Sequence, residues 1–275
     1  MNDTLKKYFR TDHLPHIWCP GCGNGIITAA IVRAIDELGW SKDETVFVSG
    51  IGCSSRAPGY LDFNTLHTTH GRALVFATGV KVARPDLNVI VITGDGDASA
   101  IGGNHLIHAA RRNIDITTIC FNNNIYGMTG GQYSPLSPTD SFASTAPYGN
   151  VDRTFDLCRL VEAAGASFVA RGTTYHVTPL TTMIRRGLEN KGFSFVEAVT
   201  ACPVYFGRRN QLRTGVDLLN WQRDNAVPVS RAAKMEPEEL AGKIVIGTFL
   251  DVEMPEYTES YERLLEEHAA DRSGE

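Results

Sequence analysis

The residues best placed to do chemistry in this chain are Asp95 and Asn123, each standing where an apolar run stops. Gly94-Asp95-Gly96 closes the run 89–93, and Asn122-Asn123-Asn124 closes the run 116–121. If those runs are neighbouring parallel strands, their C-terminal ends meet at one sheet edge, the place where open α/β sheets bind ligands. A carboxylate, a side-chain amide and nearby backbone carbonyls suit Mg²⁺, which takes a few protein oxygens and completes its octahedron with phosphate and water. The stretch Asp97-Ala98-Ser99-Ala100-Ile101-Gly102-Gly103 follows; it is small-residued and opens a helix whose N-terminus favours anions. The pair therefore reads as an anchor for a metal-bound diphosphate. A lone Gly-Asp-Gly is equally an ordinary turn after a buried strand. The interval to Asn123 is what favours the ligand.

Cysteines form the second constellation. Trp18-Cys19-Pro20-Gly21-Cys22-Gly23 has the Cys-x-x-Cys of a thioredoxin, but such a motif leaves a buried strand, and here residues 11–16 are polar and broken by Pro15. Cys53, in Gly50-Ile51-Gly52-Cys53-Ser54, and Cys202, in Ala201-Cys202-Pro203, each follow a predicted strand. Four thiolates suit structural zinc or an iron-sulfur cluster, and spacing alone leaves both open. Cys120 falls inside an apolar strand and Cys158 inside a helical stripe, where free cysteines serve as small hydrophobes. His67 with His70, and His105 with His108, have helix-face spacing, but neither pair has an acidic or cysteine third ligand, so a metal site is not expected.

These groups need a scaffold. Hydrophobic period predicts helices over 26–38, 74–84, 105–112, 155–164 and 180–189, alternating with strands over 46–49, 89–93, 116–121, 168–171 and 195–200. Regular alternation predicts an α/β fold with a doubly wound, mostly parallel sheet covered on both faces. Residues 122–152 break the rhythm with glycines, prolines and many hydroxyls; a connection of that length at a strand end carries function. The alternation fades after Cys202. We expect one domain over 1–210 holding the diphosphate and cysteine sites, and a C-terminal extension over 211–275 that contacts another subunit, with a solvated helix as the alternative reading of its charge pattern.

With 275 residues and a formal charge of -5, the chain is long enough for an enzyme subunit and has no general attraction for nucleic acid or anionic membrane. Its N-terminal residues lack a signal-peptide core, and no apolar run is long enough to span a bilayer, so a cytoplasmic protein with reduced thiols is expected.

Gly-Asp-Gly followed by one helix, one strand and Asn resembles the thiamine diphosphate fingerprint. That resemblance implies a thiamine diphosphate-binding fold in which Asp95, Asn123 and the backbone carbonyl of Ile125 bind Mg²⁺. It places Gly94, Gly96 and Asp97 at the diphosphate, with Tyr126, Gly127, Met128 and Thr129 closing over it and the thiazolium ring. Paired cysteines near the N-terminus, a third after Gly-Ile-Gly and a late Cys-Pro are similar to the β subunit of 2-oxoacid:ferredoxin oxidoreductases, over roughly residues 15–212. In that family the four cysteines, here Cys19, Cys22, Cys53 and Cys202, hold one 4Fe-4S cluster. Gly21 and Cys22 are then expected beside the cofactor as well.

What the resemblance implies is coenzyme A-dependent, reversible oxidative decarboxylation of a 2-oxoacid. Thiamine serves as electron sink while CO₂ leaves, and the electrons pass singly through the cluster to ferredoxin. Because the activating Glu of such enzymes lies on a second thiamine domain, an α subunit is expected, in a dimer of αβ heterodimers. Arg56, three residues after Cys53, is a costly cation if unpaired beside cluster and cofactor, and a substrate's distal carboxylate is its natural partner; a structural salt bridge or a diphosphate contact is the alternative. Together with Ala100-Ile101-Gly102-Gly103-Asn104-His105 and Phe206-Gly207-Arg208-Arg209-Asn210, this favours 2-oxoglutarate over pyruvate or another 2-oxoacid. His70 is expected as a polar contact in the thiamine pocket, and His67 as a satisfied interior histidine. The rival readings are a non-redox thiamine decarboxylase or synthase subunit with structural zinc, and a metal-bearing interaction module without activity.

Overall fold

Residues 3–273 are described by a computed structural model. In chain order the elements are α1 (Asp3–Tyr8), α2 (Asn24–Leu38), β1 (Thr45–Ser49), β2 (Asn64–His67), α3 (Ala73–Ala83), β3 (Asn88–Gly94), α4 (Gly103–Arg111), β4 (Thr117–Asn122), α5 (Leu157–Ala164), β5 (Phe168–Thr173), α6 (Val177–Glu189) and β6 (Ser194–Val199). They continue with α7 (Gly215–Asn225), β7 (Ala226–Pro228), α8 (Val229–Ala232), β8 (Ile244–Asp251) and α9 (Tyr257–Ser273). One eight-stranded sheet runs in the order β2-β1-β3-β4-β6-β5-β8-β7. The first six are parallel; β8 runs antiparallel to β5, and β7, parallel to β8, shares its reversed direction.

Why both faces are covered is visible in β3. Ile90 and Ile92 point into one core with Ile27, Ile31 and Ile35 of α2 and Ile184 of α6, while Val89 and Val91 point into the other with Leu74 of α3, Leu106 of α4 and Val161 of α5. Strands buried on both sides lose polar alternation and become apolar runs, which is why they were legible. The doubly wound, mostly parallel fold is as expected.

Three sheet strands escape the hydrophobic pattern, among them β7, which is only three residues long. The edge strand β2 is largely exposed, and β8 is only half-buried, with Gly247 and Thr248 interrupting it. Yet β8 adds directly to β5, with Phe168 opposite Asp251 and Arg171 opposite Gly247, so residues 211–275 contribute strands to the same sheet as the rest of the chain. A smaller apolar cluster, with Ile125, Ala143, Cys202, Phe206 and Leu218, joins the long loop, the turn after β6 and α7. Among the described residues no helix is long and apolar enough to cross a membrane.

Candidate active site

Strand order reverses between β1 and β3: the chain leaves β1 for β2 on one side and β3 for β4 on the other. The ends of β1, β3 and β4 enclose a cavity of ≈ 210 Å³ at that reversal. Gly94, Asp95, Gly96 and Asp97 line it from β3; Asn123, Ile125, Tyr126, Gly127, Met128 and Thr129 from β4; His70 and Cys53 complete the wall. A topological switch point is where α/β sheets place their ligands. The two strand-end motifs are thus brought together as expected.

Asp95 is 5 % exposed. Ser134 Oγ donates to its Oδ2 at 2.5 Å, and the backbone N–H groups of Gly96 and Ile125 also face the carboxylate. Burial nonetheless outweighs these donors and pushes the carboxyl up to about 7. Asn123 Oδ1 accepts from Ile125 N at 3.3 Å, so Ile125 lies between the two side chains. Gly96 leaves room for the Tyr126 ring, which any Cβ there would strike.

Asp97 lines the cavity and is also engaged with protein groups. Its Oδ1 accepts from Gly71 N at 2.6 Å and its Oδ2 from Thr93 Oγ1 at 2.9 Å, tying β3 to the segment before α3. His70 Nδ1 lies 2.7 Å from Asp97 Oδ1 but off the axis a hydrogen bond requires, so the contact is one of proximity and Nδ1 has no hydrogen-bond partner.

Behind this cavity the four expected cysteines approach one another. Cys22 and Cys53 each feel Cys19 and Cys202 as neighbouring negative charges when ionised; burial first, then these neighbours, pushes the Cys22 thiol up to about 12 and the Cys53 thiol up to about 11. Cys202 is raised in the same way by burial. Main-chain N–H groups already face the sulfurs, from Asn24 to Cys22 and from Tyr205 and Phe206 to Cys202. What closes the group is a backbone contact: Gly21, at φ +80°, lies against Gly215 and Pro203, where any Cβ would come within 3.2 Å of Gly215 Cα. The Cys19–Cys22 turn is thereby pressed onto the Cys202 turn and the start of α7. A Cβ on Gly127 of the cavity loop would stand 3.2 Å from Cys53 Sγ and 3.8 Å from Cys202 Sγ. Cavity and cysteine group thus share a wall formed by Cys53 and Gly127.

Residues 50–198 match the thiamine pyrophosphate enzyme family model, described as the C-terminal TPP binding domain. Along nearly its whole length the chain is 55 % identical to 2-oxoglutarate synthase subunit KorB of Methanocaldococcus jannaschii, covering 94 % of this chain and 96 % of that one. The 2-oxoglutarate oxidoreductase subunit KorB of Mycobacterium tuberculosis is 47 % identical over 68 % of this chain and 50 % of its own. Among solved structures, a 2-oxoglutarate:ferredoxin oxidoreductase from Magnetococcus marinus, with 2-oxoglutarate, coenzyme A and succinyl-CoA bound, superposes with a TM-score of 0.86 at 35 % identity, over 96 % of this chain and 90 % of that chain. This chain belongs to the β subunits of the 2-oxoacid:ferredoxin oxidoreductases.

As a subunit of a thiamine diphosphate-dependent oxidoreductase, it places some expected residues outside the cavity. Gly21 and Cys22 do not line it; Gly21 is used instead in the contact with Gly215. Arg56 is exposed and lies outside the cavity wall, because the turn after Cys53 directs Ser54, Ser55 and Ala57 inward and Arg56 to solvent. Arg56 is therefore open to solvent in this chain and bears no desolvation cost that a substrate carboxylate must offset. His67 is exposed, not interior, although Ser49 Oγ lies 2.9 Å from its Nδ1. His108 Nδ1 accepts from Arg111 at 3.5 Å, and burial lowers the pKa of His105. Cys120 and Cys158 are fully buried in the core, as small hydrophobes should be.

Three features of the oxidoreductase site escaped sequence reasoning. Ser134 is hidden among the many hydroxyls of the long loop. Asn24, next to a cysteine pair at a helix start, reads only as a cap. The third is a buried polar chain under the Asn122–Asn124 turn: Asn122 Nδ2 donates to Glu197 Oε1 at 2.7 Å, Arg171 Nε donates to Glu197 Oε2 at 2.7 Å, and Arg171 Nη2 donates to Asp156 Oδ1 at 2.6 Å. Charged residues inside the apolar runs of β5 and β6 were the only signal.

Proposed function

We propose that this β subunit, with an α subunit, carries out the coenzyme A-dependent and reversible oxidative decarboxylation of 2-oxoglutarate to succinyl-CoA and CO₂, passing two electrons singly through a 4Fe-4S cluster to ferredoxin. The observation that carries the reading is the shared wall at Gly127, which sets a four-cysteine group against the thiamine cavity. The donor sets fit the implied groups. Asp95, Asn123 and the carbonyl of Ile125 are hard oxygens at the cavity edge and would hold Mg²⁺. Cys19, Cys22, Cys53 and Cys202 supply four sulfurs, two of them already receiving main-chain N–H bonds, and would hold the cluster. Among the described residues no three His, Cys, Asp or Glu side chains converge closely enough for a single metal ion, although the cysteines interact electrostatically. The mutual electrostatic influence of the four sulfurs supports a cluster that bridges them, since a multi-iron cluster holds its ligands farther apart than one zinc ion does.

When bound, thiamine diphosphate supplies the carbanion and electron sink for decarboxylation. This chain's part is to hold the diphosphate end and keep water from the cavity, where Ile51, Ile101 and Met128 leave exposed apolar surface for an α subunit to cover. The names of the relatives and the ligands of the solved neighbour support 2-oxoglutarate as substrate and coenzyme A as acceptor. Exposed Arg56, three residues beyond Cys53, would meet the substrate's distal carboxylate only where an α subunit covers this face, and Arg56→Ala should then raise KM for 2-oxoglutarate selectively. Exposed Arg208 and Arg209, a few residues beyond Cys202, form the basic patch assigned to an acidic ferredoxin. Anaerobic reduction of a viologen dye by the αβ complex, given coenzyme A and a panel of 2-oxoacids, tests the whole reading. Brown protein with dye reduced fastest on 2-oxoglutarate is expected; colourless protein that decarboxylates without reducing dye would overturn it.

A further inference from the structure

Asn24 is the first residue of α2 and lines the thiamine cavity with 1 % of its surface exposed. Its main chain is fully committed: the carbonyl accepts from Thr28 Oγ1 at 2.8 Å, and the N–H faces the Cys22 sulfur. Its side chain is not, since neither Nδ2 nor Oδ1 has a hydrogen-bond partner. Buried amides almost always find partners, because an unpaired donor and acceptor both forfeit their bonds to water. Little else in that cavity wall offers one: the lining is mostly apolar, and Asp95 is already met by Ser134 and backbone N–H groups.

We infer that the Asn24 side-chain amide is a direct contact of bound thiamine diphosphate, separate from the Asp95–Asn123 anchor. The inference rests on the functional reading above and deepens it. An amide left open at both ends calls for a ligand offering a donor as well as an acceptor. Thiamine diphosphate has both, whereas inorganic pyrophosphate offers chiefly acceptors and a metal ion could take only the amide oxygen. Because the same residue gives its N–H to Cys22 and its side chain to the cavity, Asn24 joins the cofactor seat to the cysteine group through a single peptide unit.

The test uses the αβ complex stripped anaerobically of thiamine diphosphate, with calorimetric titrations of thiamine diphosphate and, separately, of inorganic pyrophosphate, both with Mg²⁺. Asn24→Ala should weaken thiamine diphosphate binding about tenfold or more, leave pyrophosphate binding and iron content unchanged, and leave or raise the melting temperature of the stripped complex, since an unpaired amide has been removed. Asn24→Ser serves if the alanine variant does not assemble. Unchanged thiamine diphosphate affinity, or equal weakening of both ligands, would overturn the inference. A wild-type complex that binds pyrophosphate but not thiamine diphosphate would instead strike the functional reading itself.

Discussion

Gly127 lies directly against Cys53: a methyl group on its α-carbon would stand 3.2 Å from the Cys53 sulfur. Since Gly127 also lines the thiamine cavity, a side chain there intrudes on the cysteine group before it reaches the cofactor. Gly127→Val should lower bound iron and sulfide and turnover by about 10–100-fold, the range typical when support of a metal site is lost. Thiamine diphosphate binding should fall less. Visible absorbance together with an iron assay checks this, and full iron content in the variant would contradict it.

Burial pushes the Asp95 carboxyl up to about 7 in the absence of bound cation, against about 3.9 in an unfolded chain. A raised folded value means that the folded chain binds the proton more tightly between those two limits. Its contribution to stability is therefore complete below the unfolded value and is lost as pH rises through about 7. In the proposed anchor Mg²⁺ would take the ionised carboxylate, so cofactor binding has the opposite slope: affinity for Mg²⁺ with thiamine diphosphate should rise about tenfold per pH unit up to about pH 7 and then level off, with release of one proton below that pH. Asp95→Asn should abolish that slope and most of the binding while leaving the cofactor-free subunit at least as stable at pH 8. Calorimetry in buffers of different ionisation enthalpy would reveal the proton.

Much of this site was legible in the sequence because its parts sit at strand ends. Gly94-Asp95-Gly96 and Asn122-Asn123-Asn124 interrupt apolar runs abruptly, and β3 and β4, buried on both faces, have no polar alternation to blur the boundary. Convergence of Cys19 and Cys22 on Cys202 was legible only through a family resemblance. Physically it depends on Gly21 meeting Gly215, a contact between loops almost two hundred residues apart that leaves no local pattern. β8 was missed because half-burial on an outer strand weakens the hydrophobic signal that periodicity reads. Asn24 was passed over because an asparagine at a helix start is the commonest of caps, and only its unpaired amide sets it apart.

Glu197 holds Asn122 and Arg171 at once, each at 2.7 Å, and is 3 % exposed. Glu197→Ala leaves Arg171 with Asp156 as its one carboxylate beside the Val245 carbonyl, and the Asn122 amide without its acceptor; removing one member of such a buried pair typically costs about 3–5 kcal/mol. The denaturant midpoint should drop accordingly. Glu197→Gln, which keeps an acceptor for Asn122, should recover part of the loss in stability and most of the Mg²⁺ and thiamine diphosphate affinity. If both variants bound the cofactor as tightly as wild type, the chain from Arg171 to the Asn123 turn would be structural padding with no bearing on the anchor.

The last helix is fastened to the sheet by Glu256. Its Oε1 accepts from Asp115 N at 3.1 Å, its Oε2 from Thr258 Oγ1 at 2.5 Å and from Glu259 N at 2.9 Å, and Asn113 Nδ2 donates to the carbonyls of Met254 and Pro255 beside it. Burial alone would raise this carboxyl, but the donors outweigh it and hold it below its ordinary value. A depressed folded value contributes stability above the unfolded carboxylate range and loses it as pH falls through the folded one. The attachment of α9 should therefore loosen in mild acid before the sheet unfolds. Glu256→Ala should cost about 0.5–2 kcal/mol, as loss of a helix-capping acceptor does, and should expose residues 257–273 to protease at neutral pH as mild acid does for the wild type. Limited proteolysis followed by mass spectrometry distinguishes this from global unfolding: cleavage confined to the C-terminal helix is expected, and simultaneous cleavage throughout β3 and β4 would show that Glu256 supports the whole sheet instead.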